Sequence, residues 1–234
     1  MSQRDYRILI GTAGWQHPEW GNEVFYPEDL PEDWFLSFYA NEFPIVLIPE
    51  QDWSDVDAAE QLVEEINEQA TAGFKCVFEL DWTAQNNINE RLEKLSTIGS
   101  FLSGLSVLTN VDTFEDKAFC DAIISLCQQF KLCIELKDKV NDINITKARA
   151  FCEKNSISLT WMGEGEIVVP EKSQLWITRC NSEQENKPLM QQIKKLIAEQ
   201  LKRENLSREH ILLVDGQPPK VEAVRNAMIM MDLM

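Results

Sequence analysis

The sequence predicts an α/β fold, a single-domain (β/α)8 barrel of the TIM type, and three observations lead there. Eight short apolar runs punctuate the 234 residues, at 7–10, 45–48, 74–80, 104–108, 132–136, 157–162, 175–178 and 211–214. Most are followed by a longer segment with apolar residues at helical spacing. Strand then helix, repeated, means parallel strands joined by crossovers, and closing eight of them into a cylinder removes the edges that an open sheet leaves exposed.

The first run, Ile8-Leu9-Ile10, stops at Gly11-Thr12-Ala13-Gly14-Trp15, where two glycines turn a buried strand into a loop holding Trp15, His17 and Trp20. Helical spacing follows at 31–43, 54–72, 88–101, 115–130, 146–155, 187–206 and 221–233. Pro31 suits a first helical turn, Ser54 with Asp57 is expected to cap the second helix, and Thr146 the fifth. One connection departs from the pattern. Residues 163–174 hold two glycines, Pro170 and several acids, so the helix between the sixth and seventh strands is expected to be missing. A doubly wound open sheet is the runner-up, although no Gly-x-Gly-x-x-Gly follows any strand. The absence of a linker or repeat makes 1–234 one domain, with 181–187 as the candidate mobile loop.

Composition narrows the partners. The net charge is −17, and residues 1–100 carry 20 of the 39 acids but 5 of the 22 bases. Phosphate backbones and anionic membranes are bound through Lys and Arg clusters, so neither nucleic acid nor a membrane is an expected partner. No apolar run approaches the roughly 18 residues of a membrane span, and the start lacks a secretory apolar core, which points to the cytoplasm. The six cysteines sit mostly in apolar runs with no Cys-x-x-Cys pair and read as buried filler; Cys180, after a strand, is the one weighed against a pocket.

The opening Gly11, Thr12, Gly14, Trp15, Trp20, Gly21, Tyr26 and Pro27, then Leu30, Trp34, Phe38, Tyr39, Ala40 and Phe43, with Asn226-Ala227 near the end, resemble the YecE-like family, also known as the domain of unknown function seventy-two. The resemblance implies a TIM-type barrel and no established reaction. In the family a fifth-strand Glu is followed two positions later by a basic residue, and Glu135 and Lys137 fit. Other strand ends depart: Val46-Leu47-Ile48-Pro49 replaces an acid-and-amide segment, Glu79-Leu80-Asp81-Trp82 a strand ending in Lys, Thr178-Arg179-Cys180-Asn181 an Arg-x-His-Gly run, and Asp215-Gly216 paired Asn residues, while Gly163 stands at an Asp position. Measured against the family pattern, a mouth expected to be cationic has lost charge or changed sign.

Binding groups of a parallel barrel gather at the strand C-termini. This nominates Trp15, His17, Trp20, Asp81, Trp82, Asn110, Asp112, Glu135, Lys137, Glu164, Arg179, Cys180, Asn181 and Asp215. Glu135 and Lys137 leave the same face of a strand, so an ammonium there would keep the carboxylate ionised as a base, with His17 or Arg179 assisting; the same pair would serve equally as a structural ion pair. Asp81, Glu135, Glu164 and Asp215 would have to converge to hold a divalent cation. Solvated loop acids are the simpler reading, no metal is assigned, and the cofactor is left open. His17 in a loop reads first as a hydrogen-bonded surface group, and His210 belongs at the opposite end of the barrel. Trp15, Trp20, Trp53, Trp82 and Trp161 near strand ends would stack on a sugar or base, or fill the volume left by lost polar groups; packing is the default. The Met-rich end 228–234 seals the core or meets a second copy in a homodimer.

Two functions follow. The first is a degenerate, non-catalytic or weakly active barrel serving as a small-ligand or protein-binding module. The alternative is a metal-independent or metal-assisted hydrolase or lyase acting on a small polar, phosphorylated or sugar-like substrate at the barrel mouth.

Overall fold

The computed structural model describes residues 8–82, 87–137, 145–162, 167, 169–183, 186–201 and 209–233. Eight parallel strands run in sequence: β1 (Ile8–Ala13), β2 (Ile45–Ile48), β3 (Lys75–Asp81), β4 (Leu102–Thr109), β5 (Leu132–Leu136), β6 (Ser158–Leu159), β7 (Leu175–Asn181) and β8 (Glu209–Asp215). Their lateral order is β6-β5-β4-β3-β2-β1-β8-β7, so the chain winds once around and the sheet curls into a nearly closed TIM-type barrel. Outside it lie α1 (Phe35–Glu42), α2 (Val56–Gln69), α3 (Ile88–Leu95), α4 (Lys117–Leu126), α5 (Ile145–Asn155), α6 (Asn186–Leu201) and α7 (Val221–Asp232). No helix is found among the described residues between β6 and β7, as the Gly- and Pro-containing connection predicts. Among the described residues no helix is long and apolar enough to cross a membrane.

Alternation sorts the strand side chains into two cores. Leu9, Ile45, Leu47, Val77, Cys133, Leu175, Ile177, Ile211 and Leu213 fill the barrel, while the intervening residues join the helices in a larger outer core. The seam between β6 and β7 is the weak point. β6 pairs with β5 over two residues, fewer than the expected run, and the gap to β7 is bridged by Trp161, whose N–H donates to Ile177 O (3.1 Å) and whose carbonyl accepts from Arg179 N (2.8 Å).

Local chemistry corrects several expectations. β1 does not stop at Ile10 but runs on through Gly11 and Thr12 to Ala13. Gly11 permits this, because a Cβ there would stand 1.8 Å from Ile45 O on β2. The cap of α2 is Asp55, not Ser54: Asp55 is extended and its carboxylate accepts from Ala58 N at 2.9 Å. Thr146 lies inside α5, one residue beyond its start. The first helical segment breaks into a 3-10 turn (Glu32–Trp34) and α1, and the third ends at Leu95, before a turn containing Gly99 at φ +63°. Part of the candidate loop 181–187 lies outside the described residues.

The residues that carry the opening motif make a fold-closing lock. The Tyr39 hydroxyl donates to Ile45 O (3.0 Å) and also meets the Thr12 amide (3.0 Å) and hydroxyl (2.9 Å). Tyr26 donates to Trp15 O (2.6 Å), and Trp20 Nε1 to Pro219 O (2.9 Å), fastening the first loop to the last. Trp20 stacks on Tyr39, and Tyr26 on Phe35 with centroids 3.9 Å apart.

Candidate functional site

At the C-terminal end of the barrel the interior changes from apolar to ionic. Inward alternation continues from Val77 to Glu79 and Asp81 on β3, from Cys133 to Glu135 and on to Lys137 after β5, from Ile177 to Arg179 on β7, and from Leu213 to Asp215 on β8. Arg179 is the centre. Its Nε donates to Glu135 Oε2 (2.8 Å), Nη1 to Asp215 Oδ1 (3.0 Å), and Nη2 faces Glu79 Oε2 at 3.5 Å. The Arg179 side chain is 10% exposed and that of Glu135 13%. Nearer the rim, Lys137 Nζ meets both Asp81 oxygens at 2.7 and 2.6 Å.

Burial dominates the electrostatics. Desolvation raises the carboxyl pKa values of Glu79, Glu135 and Asp215 above the ordinary range, against the opposing pull of Arg179. For Arg179 desolvation acts to lower the pKa, but Glu135, Asp215 and Glu79 outweigh it and the guanidinium is held more firmly protonated than usual. Behind β3 a second ion pair fixes the cluster. The fully buried Arg91 donates to Glu50 Oε1 at 2.6 Å and lies 4.1 Å from the Trp53 ring centroid. Glu50 Oε2 accepts from Asp81 N (3.1 Å) and Trp53 Nε1 donates to Glu79 O (3.0 Å). The strand end presenting Glu79 and Asp81 is thus gripped at both residues.

The expected site residues divide into three groups. Glu135, Arg179 and Asp215 come together, and Asp81 with Lys137 stands beside them; Glu135 is bonded to Arg179, while the ammonium of Lys137 is held by Asp81. His17 is placed elsewhere: its Nε2 bonds Ala13 O (3.0 Å), its ring meets the Trp20 edge, and it lines a cleft of about 550 Å³ over the first loop with Tyr26, Pro27, Leu30 and Phe35. Burial lowers its pKa and favours the neutral imidazole. Trp15 and Trp20 are buried in the outer core, as are Trp53 and Trp161. Trp82 packs on Phe119 and lines another cleft, about 600 Å³, between α3 and α4 outside the barrel. Cys180 points to the outer core, where burial pushes its thiol up to about 12, a poor nucleophile. Asn181 is exposed, and its Oδ1 accepts from Glu183 N in the turn after β7. Asn110 and Asp112 lie at the turn after β4, His210 near the start of β8, and Glu164 outside the described residues. Sequence reasoning missed Glu79 and Arg91. Glu79 was open to detection, since it sits two residues before Asp81 on the same strand face.

Asp81, Glu135 and Asp215 turn to cations supplied by the protein itself, and among the described residues no three His, Cys, Asp or Glu side chains group as metal ligands. The arrangement defines an α/β barrel whose mouth is occupied by an internal cluster of ion pairs. The family profile described as "Protein of unknown function DUF72" matches residues 9–234, and the chain belongs to that family, as the opening motif indicated. A DUF72 family protein from Thermotoga maritima is similar in structure, with TM-score 0.64 and 14% identity over 97% of this chain and 99% of that one. A protein described as of the dihydrodipicolinate synthase family, from Coccidioides immitis, is similar at TM-score 0.52 and 10% identity, over 88% of this chain and 65% of that one. At such identities these likenesses show the barrel alone. Comparison with curated proteins gives no match.

Proposed function

We propose that this barrel is a degenerate, non-catalytic or weakly active member of its family that serves as a binding module. One observation carries the reading: the cations at the mouth are already engaged, Arg179 by Glu135, Asp215 and Glu79, and Lys137, nearer the rim, by Asp81. A guanidinium so engaged gives a phosphate or carboxylate little to bind, and of the tryptophans that would stack on a sugar Trp15, Trp20, Trp53 and Trp161 are packed into the outer core while Trp82 lines a cleft outside the barrel. The acidic composition and free cysteines fit a cytoplasmic protein whose partner is a small polar ligand or a second copy of the chain rather than nucleic acid or membrane. The enzyme reading draws on Glu135, a buried acid with a raised pKa, the usual state of a general acid. A panel of phosphoesters and glycosides separates the two. No turnover above that of Glu135→Gln protein is expected; turnover that Glu135→Gln abolishes overturns the binding-module reading.

A further inference from the structure

We propose that the module's ligand site is the cleft over the first loop, and that it takes a neutral, hydroxyl-rich molecule, a sugar or a polyol. The inference rests on the binding-module reading and deepens it by setting the site apart from the ion pairs of the mouth. The cleft, about 550 Å³, has the volume of a small-molecule site. Its lining comes from one described stretch, residues 16–35, which follows β1 at the C-terminal end of the barrel. Hydrogen bonds already fix that stretch. Trp20 O accepts from both Phe25 N and Tyr26 N (2.9 Å each), Leu30 N donates to Pro27 O (3.1 Å), and the Tyr26 hydroxyl and Trp20 indole are tied to Trp15 O and Pro219 O. A wall formed in advance binds without the cost of ordering a loop.

The chemistry of the lining selects the ligand. His17 Nε2 meets Ala13 O, which can only accept, so Nε2 carries the ring proton and Nδ1 is a lone-pair acceptor in the neutral imidazole. Gln16 and Asn22 add carboxamides, each both donor and acceptor, whose side chains make no hydrogen bond to another described residue. Leu30 and Phe35, both half-buried, give an apolar wall, with Phe35 held flat against Tyr26. No Lys or Arg is in the lining, and none occurs in the sequence between Arg7 and Lys75, so a phosphate or carboxylate has no cation to meet. An ammonium leaves the carboxamide N–H groups unused, and the exposed carboxylates of Glu28 and Glu32 attract it only weakly through water. A hydroxyl donates and accepts. A sugar ring therefore matches both parts of the cleft, its hydroxyls meeting the carboxamides and Nδ1 and its C–H face lying on Leu30 and Phe35.

The test titrates the full chain with glucose, galactose, mannose, maltose, cellobiose and myo-inositol, and with inorganic phosphate and putrescine as contrasts, by calorimetry and saturation-transfer NMR. Saturable binding of at least one of the six is expected. Asn22→Gly removes a carboxamide where the backbone stands at φ +53°, a conformation that glycine adopts readily, and Gln16→Ala removes the other from an exposed position. Each is expected to leave Tm unchanged and to weaken sugar binding roughly fivefold, the worth of a lost neutral hydrogen bond. Saturable binding of none of the six, or sugar binding that neither variant weakens, overturns the proposal. So does binding of phosphate or putrescine, in place of the sugars, that the same variants weaken. Each of these results leaves the module reading standing, whereas Glu135-dependent turnover brings down that reading itself.

Discussion

Arg179→Leu removes the cation from three carboxylates without adding bulk. At an effective dielectric of about 20, unit charges about 4 Å apart attract by about 4 kcal/mol, and Arg179 has carboxylate oxygens at 2.8, 3.0 and 3.5 Å. Mutual repulsion of the acids and their desolvation offset much of that sum. Stranding the partners of a buried cation typically leaves a net loss of about 3–5 kcal/mol. For a chain of this size this corresponds to a Tm about 6–20 °C lower. The stranded acids relieve themselves by taking up protons, so the loss is expected to be largest near pH 7.5 and clearly smaller near pH 5. Urea denaturation at both pH values, followed by tryptophan fluorescence, measures it. A loss below about 1 kcal/mol at pH 7.5, or one equal at both pH values, would show that the cluster is solvated and that the reasoning is wrong.

Arg91→Leu leaves Glu50 without the buried guanidinium at 2.6 Å and loosens the amide of Asp81; a loss of about 3 kcal/mol in chemical denaturation is expected, with a change in Trp53 emission. Gly11→Ala places a methyl against Ile45 O at 1.8 Å, where only backbone movement can relieve it, and soluble folded protein is expected to be lost in circular dichroism. Because Glu79, Glu135 and Asp215 have native pKa values above their unfolded ones, the native state holds protons that the unfolded chain releases. The stability they contribute is complete below the unfolded carboxylate value and is lost as pH rises through the native values, so Tm is expected to fall from mildly acidic to neutral pH. Overall charge repulsion pushes the same way, and Glu135→Gln isolates the cluster: its pH slope is expected to be shallower than that of the wild type, and equal slopes would remove the cluster as the cause.

The barrel was legible because its determinants are local. Four to eight apolar residues, a turn and a helical face are each readable within a short window, and the glycines and Pro170 after the sixth strand agree with the lack of a helix among the described residues there. The site was legible by position and not by partnership. Glu135 pairs with Arg179 across 44 residues and Lys137 with Asp81 across 56, distances that only the closed barrel's register specifies. A pair two residues apart on one strand looks adjacent in sequence, yet each member reaches a closer partner on another strand. Arg91 was hidden for a different reason: within Asn89-Glu90-Arg91-Leu92-Glu93-Lys94 it reads as part of a solvated helical face, and the acid that draws it inward, Glu50, belongs to a turn 41 residues earlier.

The residues that carry the family resemblance and those that form the charged mouth do different physical work. Thr12, Tyr39, Tyr26, Trp15 and Trp20 are bound to backbone or to one another, and their hydrogen bonds clasp β1, β2 and the last loop. Nothing in that lock requires a particular charge at the mouth. Arg179, by contrast, lies on a strand that Trp161 bridges to the β6 side, and its position is set by Glu135 and Asp215. A chain can therefore keep the clasp, and with it the barrel, while the mouth changes from one charge pattern to another. Membership of the family accordingly transfers the scaffold to this protein, whereas its ligand must be argued from the sign and burial of this chain's own groups.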